Sequence, residues 1–228
     1  MVQVSRRTGL TGSALIRLLA RLADTDAPES KQSFADRLSH WLSWTDAISL
    51  SAALDGSPST PPPGARASGS AEEGECARVR AALAKAIATP MDTSTDFAQY
   101  RRRYVARQQA MEAGIGPLRG RLRSRLAAGS PAMARLAAVD AVMEQVLGAH
   151  EQRLLSTVPA LLEKHFARLR QADEATPPDE PEGGVQPGQW LDVFGNDMRG
   201  VLLAELDIRF QPVEGLLEAL QSSQPKPP

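Results

Sequence analysis

Eight arginines fall between Phe97 and Leu126, at positions 101, 102, 103, 107, 119, 121, 123 and 125, against one acid, Glu112. The segment carries +7 in a chain of formal net charge −1, so the remainder is acidic. Clustered guanidinium groups can neutralise phosphates or steer an acidic protein. The run Tyr100-Arg101-Arg102-Arg103-Tyr104 also interleaves aromatics with bases, as surfaces that stack nucleobases do. Helical spacing weakens that second point, because two tyrosines four apart share one face and belong inside. At about 100° per residue, Arg103, Arg107, Arg121 and Arg125 flank one side of that face, and Arg101, Arg119 and Arg123 the other. Flanking arginines lay their stems over a core and keep their heads wet. The expectation is a solvated or internally paired face, its counter-charges drawn from residues 173–182 or from a neighbouring helix. Arg103, Arg107, Arg121 and Arg125 are the candidate residues for a partner or phosphate surface.

Other chemistries find less support. His150 and His165 fall on an apolar stripe and His40 precedes Trp41, but His150-Glu151 lacks the second histidine of a zinc-protease helix. Neither Glu-x-x-His nor paired Cys-x-x-Cys occurs, and with three His and one Cys no metal site or other cofactor is expected. Gly114-Ile115-Gly116-Pro117-Leu118-Arg119-Gly120 misses the phosphate-cradling glycine pattern by one residue and follows helix rather than strand. Cys76 sits beside Glu75 with no histidine near it in sequence, so nothing activates it as a nucleophile. Acid pairs such as Asp140/Glu144 and Glu205/Asp207 read as helix-surface residues unless the fold buries them. No catalytic set emerges, and the protein is not expected to be an enzyme.

The elements that hold these residues are helices. Ala (35) and Leu (27) outnumber Ile plus Val (17) more than threefold among 228 residues, a bias that favours helix over strand. Two stretches rich in Pro and Gly divide the chain. The expected organisation is N-terminal helices over 1–55, a disordered linker over 56–71, a central helical hairpin over 72–171, an acidic disordered linker over 172–188, C-terminal helices over 189–221 and a disordered tail over 222–228. The expected fold is all-α: a long antiparallel hairpin with shorter flanking helices.

Within the N-terminal piece, Leu15, Leu18, Leu19 and Leu22 share one face, and Phe34, Leu38, Trp41 and Leu42 another, entered through Asp26 and Pro28. Ile48, Ala52 and Leu54 extend that helix or start another behind Thr45. The first arm of the hairpin, capped by Ser94 or Thr95, shows Phe97, Tyr100, Tyr104, Gln108, Met111, Ile115, Leu118, Leu122 and Leu126 on one face. The stripe stays in phase across Pro117, which predicts a kink rather than an end. Gly129 turns the chain, with Ser130 as cap and Pro131 at the first helical position. The return arm reads Leu136, Val139, Met143, Leu147, His150 and Leu154, then Val158, Leu161, His165 and Leu169, with Ser156 or Thr157 recapping at Pro159. In the last piece Pro212 is expected to divide the helix in two.

The Arg6-Arg7 pair resembles a twin-arginine export signal, but Arg17 and Arg21 interrupt the apolar stretch that must follow. A single cysteine cannot make an internal disulfide, and no window reaches membrane-spanning length, so the cytoplasm is the expected compartment. Residues 1–23 carry four arginines and no acid beside a Leu-rich face, a pattern that suits an anionic membrane surface or, more simply, docking on its own domain.

The segments Asn196-Asp197-Met198-Arg199-Gly200-Val201-Leu202-Leu203-Ala204-Glu205-Leu206-Asp207 and Gln211-Pro212-Val213-Glu214-Gly215-Leu216-Leu217, with Arg7-Thr8-Gly9-Leu10 and the stretch from Trp41 to Leu54, resemble a proteobacterial family, domain of unknown function 3348. The resemblance implies a bacterial source and a setting among cell-envelope proteins with coiled-coil or peptidoglycan-binding parts; it implies no activity and no site residues. The functional expectation is a non-enzymatic helical adaptor or scaffold, acting on a protein partner or as a homo-oligomer, in a cell-envelope-associated complex. The alternative is a nucleic-acid-associated protein that holds phosphates through the arginine-rich helix 97–126.

Overall fold

The computed structural model of the chain describes residues 14–24, 34–55, 69–90, 93–175 and 189–222. Among the described residues the fold is all-α, with eight helices: α1 (Ala14–Ala23), α2 (Phe34–Trp41), α3 (Trp44–Asp55), α4 (Gly69–Ala88), α5 (Phe97–Ala127), α6 (Pro131–Leu155), α7 (Val158–Ala175) and α8 (Gln189–Ser222). Residues 1–13, most of the linkers expected at 56–71 and 172–188, and residues 223–228 lie outside the described residues, as does the expected entry to α2 at Asp26 and Pro28. Helix α4 starts three residues before the 72 boundary, and α7 runs on to Ala175, past the expected end at 171.

Helix α5 is built as its periodicity dictates. Tyr100, Tyr104, Met111, Ile115, Leu118, Leu122 and Leu126 are buried, and Phe97 and Gln108 half-buried. The helix passes through Pro117 without ending. Its cap is Asp96 rather than Ser94 or Thr95: the Asp96 carboxylate accepts from the Ala98 N–H at 2.9 Å, satisfying a donor that the first turn leaves orphaned. Ser94 serves the cap itself, its hydroxyl accepting from the Asp96 N–H at 3.1 Å. At the other end Ser130 caps α6 and Pro131 occupies its first turn, as expected.

The return arm differs from its reading. Val158 is buried as read, but Leu136 and Leu154 are 41% and 63% exposed, whereas Ala137, Val146, Leu155, Leu162 and Phe166 are buried. Two causes shift the phase. Helix α6 is flanked by α3 as well as α5, so its half-buried residues are shared between two neighbours. The chain also breaks between Leu155 and Val158, where the hydroxyls of Ser156 and Thr157 donate to the Arg153 and Leu154 carbonyls and close α6.

Pro212 does not divide the last piece; α8 is one helix of 34 residues. It carries twelve buried residues and packs on α1, α4, α5, α6 and α7. A helix apolar on most of its circumference belongs at the centre of a bundle. The α5 stripe therefore faces α8 more than α6, which corrects the expected hairpin seam. Numbering rises together along the α5–α8 contact, from Tyr100 on Phe194 to Glu112 near Arg209, so those two helices are parallel. Across α5 and α6 it runs oppositely, Arg119 meeting Asp140 and Gln108 meeting Leu155, so the hairpin is antiparallel. Phe97, Tyr100, Phe166, Trp190 and Phe194 meet in tilted and edge-to-face pairs with centroids 4.9 to 6.2 Å apart, joining α5, α7 and α8.

Helix α1 docks on α7 and α8 through Leu15 and Leu22, so its Leu face is spent on its own domain. Helix α3 is separate from α2. The Ser43 N–H donates to the Asp46 carboxylate at 3.0 Å and the Asp46 N–H to the Ser43 hydroxyl at 3.2 Å, a reciprocal box that starts the helix at Trp44 rather than behind Thr45. The Ser43 hydroxyl, donating to the Asp46 carboxylate at 2.7 Å, and the Ser43 N–H together hold that carboxyl below its ordinary value. Among the described residues no helix is long and apolar enough to cross a membrane.

Candidate functional site

The arginines of the second half of α5 face carboxylates from both neighbouring helices. Arg119 grips Asp140 of α6 in a forked pair, Nη2 to Oδ1 at 2.6 Å and Nε to Oδ2 at 3.1 Å. Arg123 shares the same carboxylate at 3.0 Å and also binds Glu144. Burial works against the Arg123 charge, but Glu144 and Asp140 offset it and its pKa rises. On the opposite flank Arg121 pairs with Glu75 and Arg125 with Glu72, both from α4. The counter-charges among the described residues thus come from neighbouring helices; residues 176–182 of the acidic segment lie outside the described residues.

The first half of α5 is different. Arg103 donates to the carbonyls of Thr89 and Pro90 just past the end of α4, where a helix leaves acceptors unsatisfied. Arg107 makes no ion pair among the described residues, and its Nε is buried without an acceptor. Arg101 and Arg102 are exposed beside Ala98, Val105 and Gln109. The four candidate arginines are therefore split: Arg121 and Arg125 are paired on α4, while Arg103 and Arg107 meet no carboxylate among the described residues.

The most polar point in the core was not foreseen. Glu205 on α8, read as a surface residue, is fully buried. Its carboxylate accepts from the Tyr104 hydroxyl at 2.6 Å, from Gln108 Nε2 at 3.0 Å and from Arg209 Nε at 3.0 Å. Arg209 also lies 3.4 Å from Glu151 and 3.7 Å from Glu112. The one signal available was Gln108, the single polar side chain on the nine-residue stripe of α5. Burial, with the Glu205 charge adding to it, pushes the Tyr104 phenol far up. Beside this network lies a half-open cavity of about 370 Å³ bordered by Met111, Gly116, Arg119, Glu144, Gly148 and Glu151. Burial raises the Glu151 carboxyl even against the charge of Arg209. Among the described residues the cavity's ionisable lining is Glu112, Glu144 and Glu151 against Arg119 and Arg209, with no hydroxyl, thiol or histidine.

The histidines are partnered or peripheral. His165 Nε2 lies 2.9 Å from Asp197, which also takes Arg21 of α1 at 3.1 Å. His150 stacks on Trp41 with centroids 5.1 Å apart, and His40 is exposed. Cys76 is buried, and burial with the Glu75 charge pushes its thiol up, away from the reactive thiolate. Among the described residues, no group of three or more His, Cys, Asp or Glu is placed to hold a metal ion.

The clearest apolar surface is on α3. Trp44, Ile48 and Leu54 are 82%, 54% and 50% exposed, and the helix has no buried residue although it packs on α6. The other two tryptophans differ from Trp44: Trp41 is half-buried and Trp190 buried.

The family model described as "Protein of unknown function (DUF3348)" matches residues 1–222, and the chain belongs to that family. No curated protein and no solved structure matches it.

Proposed function

We propose that this family member is a non-enzymatic, cytoplasmic helical adaptor that receives a helix of a partner protein on the outer face of α3. The observation that carries the reading is Trp44, 82% exposed, with Ile48 one turn further on. Large aromatics left in water at this level are typical anchors of protein–protein contacts. Ala47, Ser51 and Ala52, also exposed on α3, are small enough to let a second backbone approach. The helix carries Asp46 and Asp55 and no basic residue, so the partner that fits is an amphipathic helix whose apolar stripe is edged by Lys or Arg. A nucleic-acid role is supported less well, because Arg121 and Arg125 already face Glu75 and Glu72.

The test is site-specific photo-crosslinking in native cells, from a probe at position 48 of α3 and, as control, at position 102 of α5. A discrete adduct at 48 that disappears on Trp44→Asp, with no equivalent at 102, supports the reading. An adduct pattern indifferent to Trp44→Asp, or none at 48, removes it.

A further inference from the structure

We propose that Arg103 and Arg199 form a binding site for a phosphate-bearing small molecule, seated between α5, α8 and the end of α4. A cavity of about 420 Å³ opens there, bordered by Thr89, Thr93, Arg103, Asn196 and Arg199, with buried Tyr100 and Leu202 below. That volume suits a small ligand. The contrast along one helix is the strongest sign. Arg119, Arg121, Arg123 and Arg125 each face a carboxylate. Arg103, Arg107 and Arg199 face none among the described residues: Arg103 is held by two carbonyls and Arg199 by the Asn196 side chain at 2.8 Å.

Arg107 follows Arg103 by one turn of α5, and its buried Nε has no acceptor. Like charges held close together destabilise the empty site, and an anion offsets that cost. Burial lowers the Arg103 pKa, and the charges of Arg107 and Arg199 act in the same direction. Asp192 also borders the cavity but makes no ion pair with Arg103 or Arg199, so among the described lining residues two guanidinium groups stand against one carboxylate. A phosphate offers both guanidinium groups an anionic acceptor, and their forks match its oxygens. The site is independent of the α3 face, so its failure leaves the adaptor reading standing.

Calorimetric titration of the full chain with pyrophosphate, with inorganic phosphate and with a short DNA duplex tests this, alongside thermal melts. The expected results are binding of pyrophosphate, weakened about tenfold or more by Arg199→Gln, and unchanged by the exposed control Arg102→Gln. Arg199→Gln should melt at a higher temperature than the wild type without ligand, because repulsion is relieved, and should lose the ligand-induced rise. The proposal is overturned by absence of pyrophosphate binding, by equal binding to wild type and Arg199→Gln, or by duplex binding without pyrophosphate binding. A lower melting temperature of ligand-free Arg199→Gln also overturns it, since the guanidinium would then be serving packing alone.

Discussion

The Tyr104 hydroxyl on α5 donates to the Glu205 carboxylate on α8 across 2.6 Å, with both side chains closed off from solvent. A one-turn slip between the two parallel helices would strand both groups, so the bond acts as a register pin as well as a contact. Removing the hydroxyl by Tyr104→Phe should cost about 1.5–3 kcal/mol, the range for a hydrogen bond to a charged group. Glu205→Ala should cost more, about 3–5 kcal/mol, because Arg209 loses its closest carboxylate inside the core. Equilibrium denaturation checks both; a Glu205→Ala chain as stable as wild type would mean that the network is slack.

The same pair sets an alkaline limit. The folded-state pKa of Tyr104 lies far above that of an unfolded tyrosine, so its stabilisation is whole below about pH 10 and declines as pH rises further, when only the unfolded chain ionises. The stability advantage of wild type over Tyr104→Phe should shrink by about 1.4 kcal/mol per pH unit above that point. Denaturant titrations of both proteins at several alkaline pH values measure it.

Asp140 separates costly ion pairs from cheap ones. Its side chain is 11% exposed and serves Arg119 and Arg123 together. Asp140→Ala leaves two half-buried guanidinium groups on Glu144 alone and should cost about 3 kcal/mol. Arg121→Ala breaks a pair whose members are 53% and 36% exposed and should cost under about 1 kcal/mol. Urea midpoints of the two variants, compared with wild type, decide whether the ladder is graded by burial in this way.

Two glycines should respond oppositely to a methyl group. A Cβ on Gly116 meets nothing within 4 Å, so Gly116→Ala should stabilise α5 by about 1 kcal/mol through helix propensity. A Cβ on Gly129 would lie 2.8 Å from the Met133 sulfur and 3.2 Å from the Leu126 carbonyl, so Gly129→Ala should loosen the α5–α6 turn. Thermal melts of the two variants should move in opposite directions.

Glu151 should betray its burial in acid. Its pKa is raised in the folded state, so its charge opposes folding at neutral pH, and that penalty fades as pH falls through the raised value. Glu151→Gln should therefore raise the melting temperature at pH 7 and lose this advantage toward about pH 4. Equal melting of the two proteins across that interval would show that Arg209 fully balances the carboxylate.

The α5 face from Phe97 to Leu126 was legible because burial once per turn is a local property, written in the order of the residues. The Ser130-Pro131 start of α6 was legible for the same reason, since caps act within four residues. The phase of α6 and α7 was not, because two neighbours and a break at Ser156-Thr157 decide which residues face inward. Pro212 looked like a terminator, yet packing on several neighbouring helices outweighs the one hydrogen bond it removes. The identity of side-chain partners lay furthest from view. Order along the chain determined that eight arginines flank a helix; only the tertiary fold decided that Asp140, Glu144, Glu72 and Glu75 meet four of them, that Arg199 and Arg103 border one cavity, and that Glu205 is buried. Those outcomes depend on residues far apart in sequence being brought within a few ångströms, where a charge is either paired or left to find its counter-ion elsewhere.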